Sequence, residues 1–131
     1  MVIDSSALLA IFLGESERRA FLDLILGAER RLVSAATVLE AGIVLEARRG
    51  EAAGREFDLF LLRAKVEITA FDGEQTELAR SAWRKYGKGR HPAGLNFGDC
   101  FSYALAKSLN EPLLAKGSDF ALTDIKLLPG S

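Results

Sequence analysis

Short apolar runs alternate along this chain with longer stretches in which apolar residues recur every three or four positions, as buried strands interleaved with amphipathic helices would. Val2-Ile3 reads as the end of a very short buried strand, with Asp4 just past it. Ser5 or Ser6 then caps a helix through Ala7 to Leu13, broken at Gly14. A second helix runs from Glu15 to Leu26, with Ala20, Phe21, Leu24 and Ile25 on its apolar side and Gly27 at its end. Arg31 to Ala35 reads as a strand. Thr37 and Glu40 make a Thr-x-x-Glu capping box that opens a helix to Arg49, closed by Gly50. Glu51 to Ala64 is again helical, with Phe57, Phe60, Leu61 and Ala64 on one side. Val66 to Phe71 is β-rich and ends in the turn pair Asp72-Gly73.

A helix from Gln75 to Tyr86 follows, then a glycine-punctuated loop from Gly87 to Gly94. Asn96 or Gly98 precedes a helix from Asp99 to Leu109. Pro112 to Ala115 is a buried-strand run, and Ile125 to Pro129 is the candidate for a last, edge strand. This alternation predicts an α/β fold: a three-layer sandwich with a short, mostly parallel sheet between helices, as one domain over residues 1–131. Ligand sites in such sheets gather at the carboxyl ends of the strands. Asp4 lies at one such end and Asp119 soon after another.

Composition narrows the chemistry. With 131 residues, 49% hydrophobic and 27% charged, the chain has the make-up of a soluble globular protein. No apolar run is long enough to span a bilayer, and Met1-Val2-Ile3-Asp4 has no basic leader, so a cytoplasmic location is expected. The single cysteine, Cys100, excludes an internal disulfide, and with the single histidine, His91, it excludes a Cys/His zinc site within one chain. A ribonuclease that uses two histidines as acid and base is excluded for the same reason. The net charge of −1 does not advertise nucleic-acid binding, so any polyanion must meet a local patch.

The carboxylates are the candidates. An N-terminal helix cap would account for Asp4, although Ser5 and Ser6 can do that work. Around Glu40, Ala36, Ile43, Val44 and Ala47 fall within about 60° on the helical wheel. A carboxylate amid an apolar arc is costly unless something pairs with it. The capping box with Thr37 would explain it structurally, and a metal-bearing cavity would explain it functionally. Asp99 stands in a first helical turn, where the helix dipole favours negative charge. Asp119 and Asp124 lie in a polar loop after a strand, where each alone is an ordinary turn residue. Four or five acidic groups at strand ends and helix starts of one small sheet repel one another unless a cation sits among them. All-oxygen ligation suits Mg²⁺ or Mn²⁺, and such an ion serves phosphate-ester hydrolysis without a histidine base.

A basic stretch precedes the last helix: Arg84, Lys85, Lys88, Arg90 and His91, with Tyr86 among them. A solvated loop would read the same way, but a basic loop beside an acidic site is what an anionic substrate requires. Its glycines, Gly87 and Gly89, would let it fold over a substrate.

Val-Ile-Asp-Ser-Ser-Ala-Leu at the start, Glu40 on the third helix, Leu-Asn-Phe-Gly-Asp-Cys at 95–100 and Lys-Gly-Ser-Asp-Phe at 116–120 resemble the PIN-domain endoribonucleases. More narrowly they resemble the VapC-type toxins of toxin–antitoxin pairs, over essentially the whole chain. The resemblance implies metal-binding roles for Asp4 and Asp99, with Glu40 and Asp119 completing an acidic quartet. It also implies a small DNA-binding antitoxin that blocks the site, a homodimer, and structured RNA, commonly tRNA or rRNA, as substrate. The apolar side of the second helix, Phe21, Leu24 and Ile25, is either ordinary core or a groove wall for that antitoxin. One departure stands out: many PIN domains carry an aspartate three residues before the phenylalanine matching Phe120, and here that residue is Gly117. Asp119 or Asp124 must then supply the fourth carboxylate.

Two other readings compete. A phospho-acceptor receiver domain is also α/β and near this length, with Asp4, Asp72 and Lys116 cast as its acidic residues and late lysine. It leaves Glu40 and the basic loop unexplained. A PIN-like fold with a dead site would act as a binding module alone.

Overall fold

The computed structural model describes residues 1–128. Its elements are β1 (Val2–Ile3), α1 (Ser5–Phe12), α2 (Arg18–Gly27), β2 (Leu32–Ser34), α3 (Ala35–Arg49), α4 (Glu51–Arg63), β3 (Glu67–Thr69), α5 (Gly73–Tyr86), α6 (Phe97–Leu109) and β4 (Leu113–Leu114). A short 3₁₀ turn, Asp119–Leu122, follows β4. The strands pair in the order β3-β2-β1-β4, all parallel. Val2 stands beside both Leu32 and Leu113, and Ile3 beside Leu114.

Alternation along these strands feeds two cores. Ile3, Val33 and Leu114 turn to the side covered by α1 to α4, where Leu8, Phe21, Leu45 and Phe57 are fully buried. Val2, Leu32 and Leu113 turn to the other side, against Leu95, Tyr103 and Leu105 of the α5–α6 layer. Strands covered on both faces need apolar residues at consecutive positions, as in β1 and β4, whereas the edge strand β3, Glu67-Ile68-Thr69, is largely exposed. The expected three-layer α/β sandwich is what forms.

The chain runs from β1 out through β2 to β3, then returns to add β4 on the other side of β1. Strand order therefore reverses between β1 and β4. This arrangement differs from the 2-1-3-4-5 order of flavodoxin-like sheets, and it removes the receiver-domain reading. Asp72 caps α5 instead, accepting from Gln75 N at 3.0 Å. Lys116 is bound to Glu15 and Glu17 at 3.2 and 3.4 Å.

Several local expectations are corrected. Asp4 itself caps α1, accepting from the Ser6 backbone N–H at 3.1 Å. The capping box at Thr37 does not form. Strand β2 passes straight into α3, and Ser34, the last strand residue, is the cap. Thr37 then lies inside the first turn, buried, its hydroxyl without a hydrogen-bond partner among the described residues. The inward face of α3 is Thr37, Ala41 and Leu45. Of the apolar arc around Glu40, Ile43 and Ala47 are exposed, while Ala36 and Val44 are only half-buried. Helix α2 starts at Arg18, after a turn. Its Phe21 and Ile25 are buried core residues, and Leu24 packs half-buried against them. The last strand reduces to a single parallel bridge, Leu127 to Leu113; Pro129 lies outside the described residues.

Arg31 fastens two helix ends. Its guanidinium donates to the carbonyls of Ile25 (2.5 Å), Ala64 (2.6 Å) and Leu26 (2.7 Å), at the C-termini of α2 and α4. A cation there satisfies orphan carbonyls and complements both helix dipoles. Arg31→Ala is expected to lower stability by about 2 kcal/mol in urea unfolding. Arg31→Lys recovers only part of this, because an ammonium cannot span three carbonyls as the planar fork does.

Candidate active site

The carboxyl ends of β1 and β4 meet at the reversal of strand order, and Asp4 leaves β1 at that point. It is 1% exposed, yet its carboxylate is held from several sides. The Ser6 hydroxyl donates to Oδ2 at 2.6 Å, and the Ser102 hydroxyl, from α6, donates to Oδ1 at 2.5 Å. Ser6 Oγ in turn accepts from the Lys116 backbone N–H at 2.9 Å, tying the site to the chain after β4. Hydrogen bonds of this kind satisfy a buried carboxylate and fix its direction.

Ser102 is three residues after Asp99 on α6, so both project from the same side of that helix towards Asp4. Asp99 is anchored by a reciprocal capping box: its N–H donates to Asn96 Oδ1 at 2.9 Å, and its carboxylate accepts from Asn96 N at 3.0 Å. Burial pushes the Asp99 carboxyl up to about 6, and the negative charges of Asp4, Asp119 and Glu40 push the same way. Glu40 comes from α3. Its carboxyl lies against the start of α6, so close that a side chain on Gly98 would collide with it. Burial raises its pKa and the Asp4 charge adds to this, while the Ser5 hydroxyl beside it works in the opposite direction. Glu40 Oε1 is buried with no hydrogen-bond partner among the described residues.

Asp4, Glu40 and Asp119 are therefore near enough to Asp99 for their charges to act on its carboxyl. Asp124 is not. It accepts from Tyr103 Oη at 2.7 Å and pairs with Lys107 Nζ at 2.7 Å. Burial works against its charge, but these two hydrogen bonds outweigh it and its pKa falls. Its charge is met by its own lysine and is not among those acting on Asp99. Gly117 has φ +99, a left-handed backbone that an aspartate rarely adopts. Asp119, at the start of the 3₁₀ turn, is the acid of this loop whose charge acts on Asp99.

The donor set fits a hard divalent cation, because every donor is a carboxylate oxygen, one of them orphaned, and Asp99 resists ionisation without a compensating charge. Among the described residues no three acidic, histidine or cysteine side chains stand close enough together to hold a metal ion between them. Cys100 is no nucleophile: burial, with the Asp99 charge, pushes its thiol up to about 11.

The basic stretch is divided by its geometry. Arg84 and Lys88 line a groove between α5 and α6, while Lys85 does not. Arg90 lies over the Trp83 ring at 4.6 Å. His91 is loop scaffold, its ring edge-on to Tyr86 at 5.1 Å and its Nδ1 accepting from Ala93 N at 3.0 Å. The loop is no free flap, because Lys88 N donates to Leu95 O and Leu95 N to Tyr86 O, both at 2.9 Å. Ser102, Arg80 and Trp83 are not marked by the sequence motifs, and Ser6 reads there only as a helix cap. The signal for Ser102 was its three-residue spacing from Asp99. For Arg80, Trp83 and Arg84 it was a shared face at helical spacing.

Comparison with known proteins agrees with this geometry. The PIN domain family model matches residues 1–126. The chain is 53% identical to Ribonuclease VapC of Mycolicibacterium smegmatis over 125 residues, 95% of this chain and 97% of that one. It is equally 53% identical to Ribonuclease VapC30 of Mycobacterium tuberculosis, over 95% of both chains. In fold it is similar to the crystal structure of Mycobacterium tuberculosis VapC20, a toxin described as cleaving the sarcin–ricin loop, with TM-score 0.78 at 18% identity over 97% of each chain. It also superposes on a toxin–antitoxin complex from Klebsiella pneumoniae, with TM-score 0.72 at 19% identity over 98% of this chain and 96% of that one. The chain belongs to the PIN-domain family, among the VapC ribonucleases.

Proposed function

We propose that this protein is the toxin of a toxin–antitoxin pair, an endoribonuclease that hydrolyses phosphodiester bonds of structured RNA at an Mg²⁺ or Mn²⁺ site built from Asp4, Glu40, Asp99 and Asp119. What supports the metal site is that the charges of Asp4, Asp119 and Glu40 all bear on Asp99, whose carboxyl is pushed up to about 6, and that Glu40 Oε1 is buried without a partner among the described residues. A divalent cation bound there supplies charge for the scissile phosphate and lowers the pKa of a bound water. Asp4, aimed by Ser6 and Ser102, and Asp99, fixed by Asn96, are the residues that would hold it. Glu40, whose carboxyl is raised above the ordinary range by burial, is suited to take the proton of the attacking water at Oε1. Asp119 sits where the chain after β4 faces the same charge.

The partners follow the same reading. An antitoxin would silence the enzyme by placing a helix and a basic side chain over the carboxylates. No helix among the described residues is long and apolar enough to cross a membrane, and we place the activity in the cytoplasm, in one catalytic unit spanning residues 1–131. The outward stripe of α3, where Leu39 and Ile43 are 65% and 59% exposed, is the surface we assign to a second copy in a homodimer.

The test is cleavage of RNA by the purified chain with Mg²⁺ or Mn²⁺. The expected products carry a 5′-phosphate and a 3′-hydroxyl, since water, not the 2′-hydroxyl, attacks phosphorus. Cleavage that survives excess chelator, or a 2′,3′-cyclic phosphate, would overturn the proposal.

A further inference from the structure

We infer that the groove between α5 and α6 is a nucleobase subsite, taking unpaired bases of the RNA next to the cut; this rests on the ribonuclease reading above. The groove measures about 860 Å³, within the range of small-molecule pockets. It begins where the catalytic cluster ends. Asn96, Phe97 and Cys100, on either side of Asp99 along the chain, line it, so the active site and the groove occupy adjoining sides of the same helix start. Its walls carry two exposed aromatic rings, Trp83 at 46% and Phe97 at 81% exposure. Arg90 takes one face of the Trp83 ring and Phe101 meets Phe97 edge-on, which leaves ring surface in the groove that a nucleobase can cover whatever its sequence.

Charge specifies the occupant. Arg80, Arg84 and Lys88 line the groove, and Arg90 lies over the Trp83 ring. None of these four cations is in an ion pair among the described residues, although the chain as a whole carries a net charge of −1. Aromatic faces with unpaired cations around them match the two halves of a nucleotide: a base to stack and a phosphate to neutralise. A paired base inside a duplex cannot offer its face to the groove. The enzyme would thus favour a cut beside an unstacked nucleotide, in a loop or bulge of a structured RNA.

Trp83 is the sole tryptophan of the chain, so its emission reports occupancy of the groove directly. With metal chelated, a single-stranded hexaribonucleotide is expected to quench that emission, and the same sequence as a duplex is not. In cleavage assays with metal, Trp83→Ala is expected to raise KM for a loop-containing RNA roughly 5- to 150-fold, with kcat within about threefold. Trp83→Phe should restore most of the loss, because a ring remains to stack. Wild-type KM in Trp83→Ala, with cleavage itself intact, overturns the subsite while leaving the nuclease standing. Equal quenching by duplex also overturns it. So does emission that changes on diluting the protein alone but not on adding RNA, which would assign the groove to a second copy of the chain.

Discussion

Asp99→Asn is expected to reduce RNA cleavage at least a hundredfold while making the metal-free protein more stable. The activity loss follows from removing a metal-binding charge, since even the groups that merely orient metal ligands are worth about 10- to 100-fold. The gain in stability follows from the crowding. Asparagine keeps the shape of aspartate and can still accept from Asn96 N, so the capping box survives. What disappears is a negative charge that burial and three neighbouring carboxylates hold at about 6, against 3.8 for a free side chain. For an acid whose pKa is raised by folding, the folded state binds the proton more tightly. That contribution is fully present below about pH 4 and is lost as pH rises through about 6. Wild-type stability should therefore fall across this window, and Asp99→Asn should lack that fall. Partial exposure and the lost helix-dipole contact leave a net gain of about 1–2 kcal/mol at pH 7. Millimolar Mg²⁺ should reverse the order, because it stabilises only the chain that binds it. Urea titrations at pH 4.5, 6 and 7.5, with and without metal, read all of this. A stability difference that is flat in pH, or retained activity, would show Asp99 to be only a helix-start residue.

Much of this site could be read from the sequence because its parts are local. Asp4 follows a two-residue apolar run, and the run had to be a strand end because Ser5 and Ser6 come next. Asn96 and Asp99 carry their own capping box, which places the acid on the first turn of α6 without tertiary information. Other parts depended on contacts between distant segments. Thr37 and Glu40 have the spacing of a capping box, yet Ser34 takes the cap because β2 runs into α3 with no loop between them. That frees Glu40 from local duty. The arc around Glu40 is apolar in the sequence, but α3 turns Thr37, Ala41 and Leu45 inward instead, and periodicity alone does not show which neighbour covers which face. The choice between Asp119 and Asp124 rests on Tyr103 and Lys107, more than fifteen residues from Asp124 along the chain. The groove escaped notice because its aromatic residues lie on two helices, and only the cations of one segment were adjacent in sequence.

Gly98→Ala should leave the protein about as stable as before and still cost 10- to 100-fold in kcat. Alanine is the better helix former by about 1 kcal/mol, and nothing in the backbone of residue 98 calls for glycine's freedom. The obstacle is Glu40. A Cβ at residue 98 would stand 2.7 Å from Glu40 Oε1 and 2.8 Å from Cδ, inside van der Waals contact. Glu40 has a flexible side chain, so the clash is relieved by moving its carboxylate, not by breaking α6, and the helix gain roughly offsets the cost. The displaced carboxylate no longer meets the water it is placed to deprotonate, and a misplacement of about 1 Å can cost a hundredfold in rate. KM for RNA should change little, because neither residue lies in the α5–α6 groove. Glu40→Gln should show the same fall in kcat with the backbone untouched. Adding Gly98→Ala to Glu40→Gln should then cost almost nothing more, since both changes remove one function. If the losses multiply instead, glycine at 98 serves the fold of α6 and not the position of Glu40. If Gly98→Ala is fully active, Glu40 does not act from the place where the structure holds it.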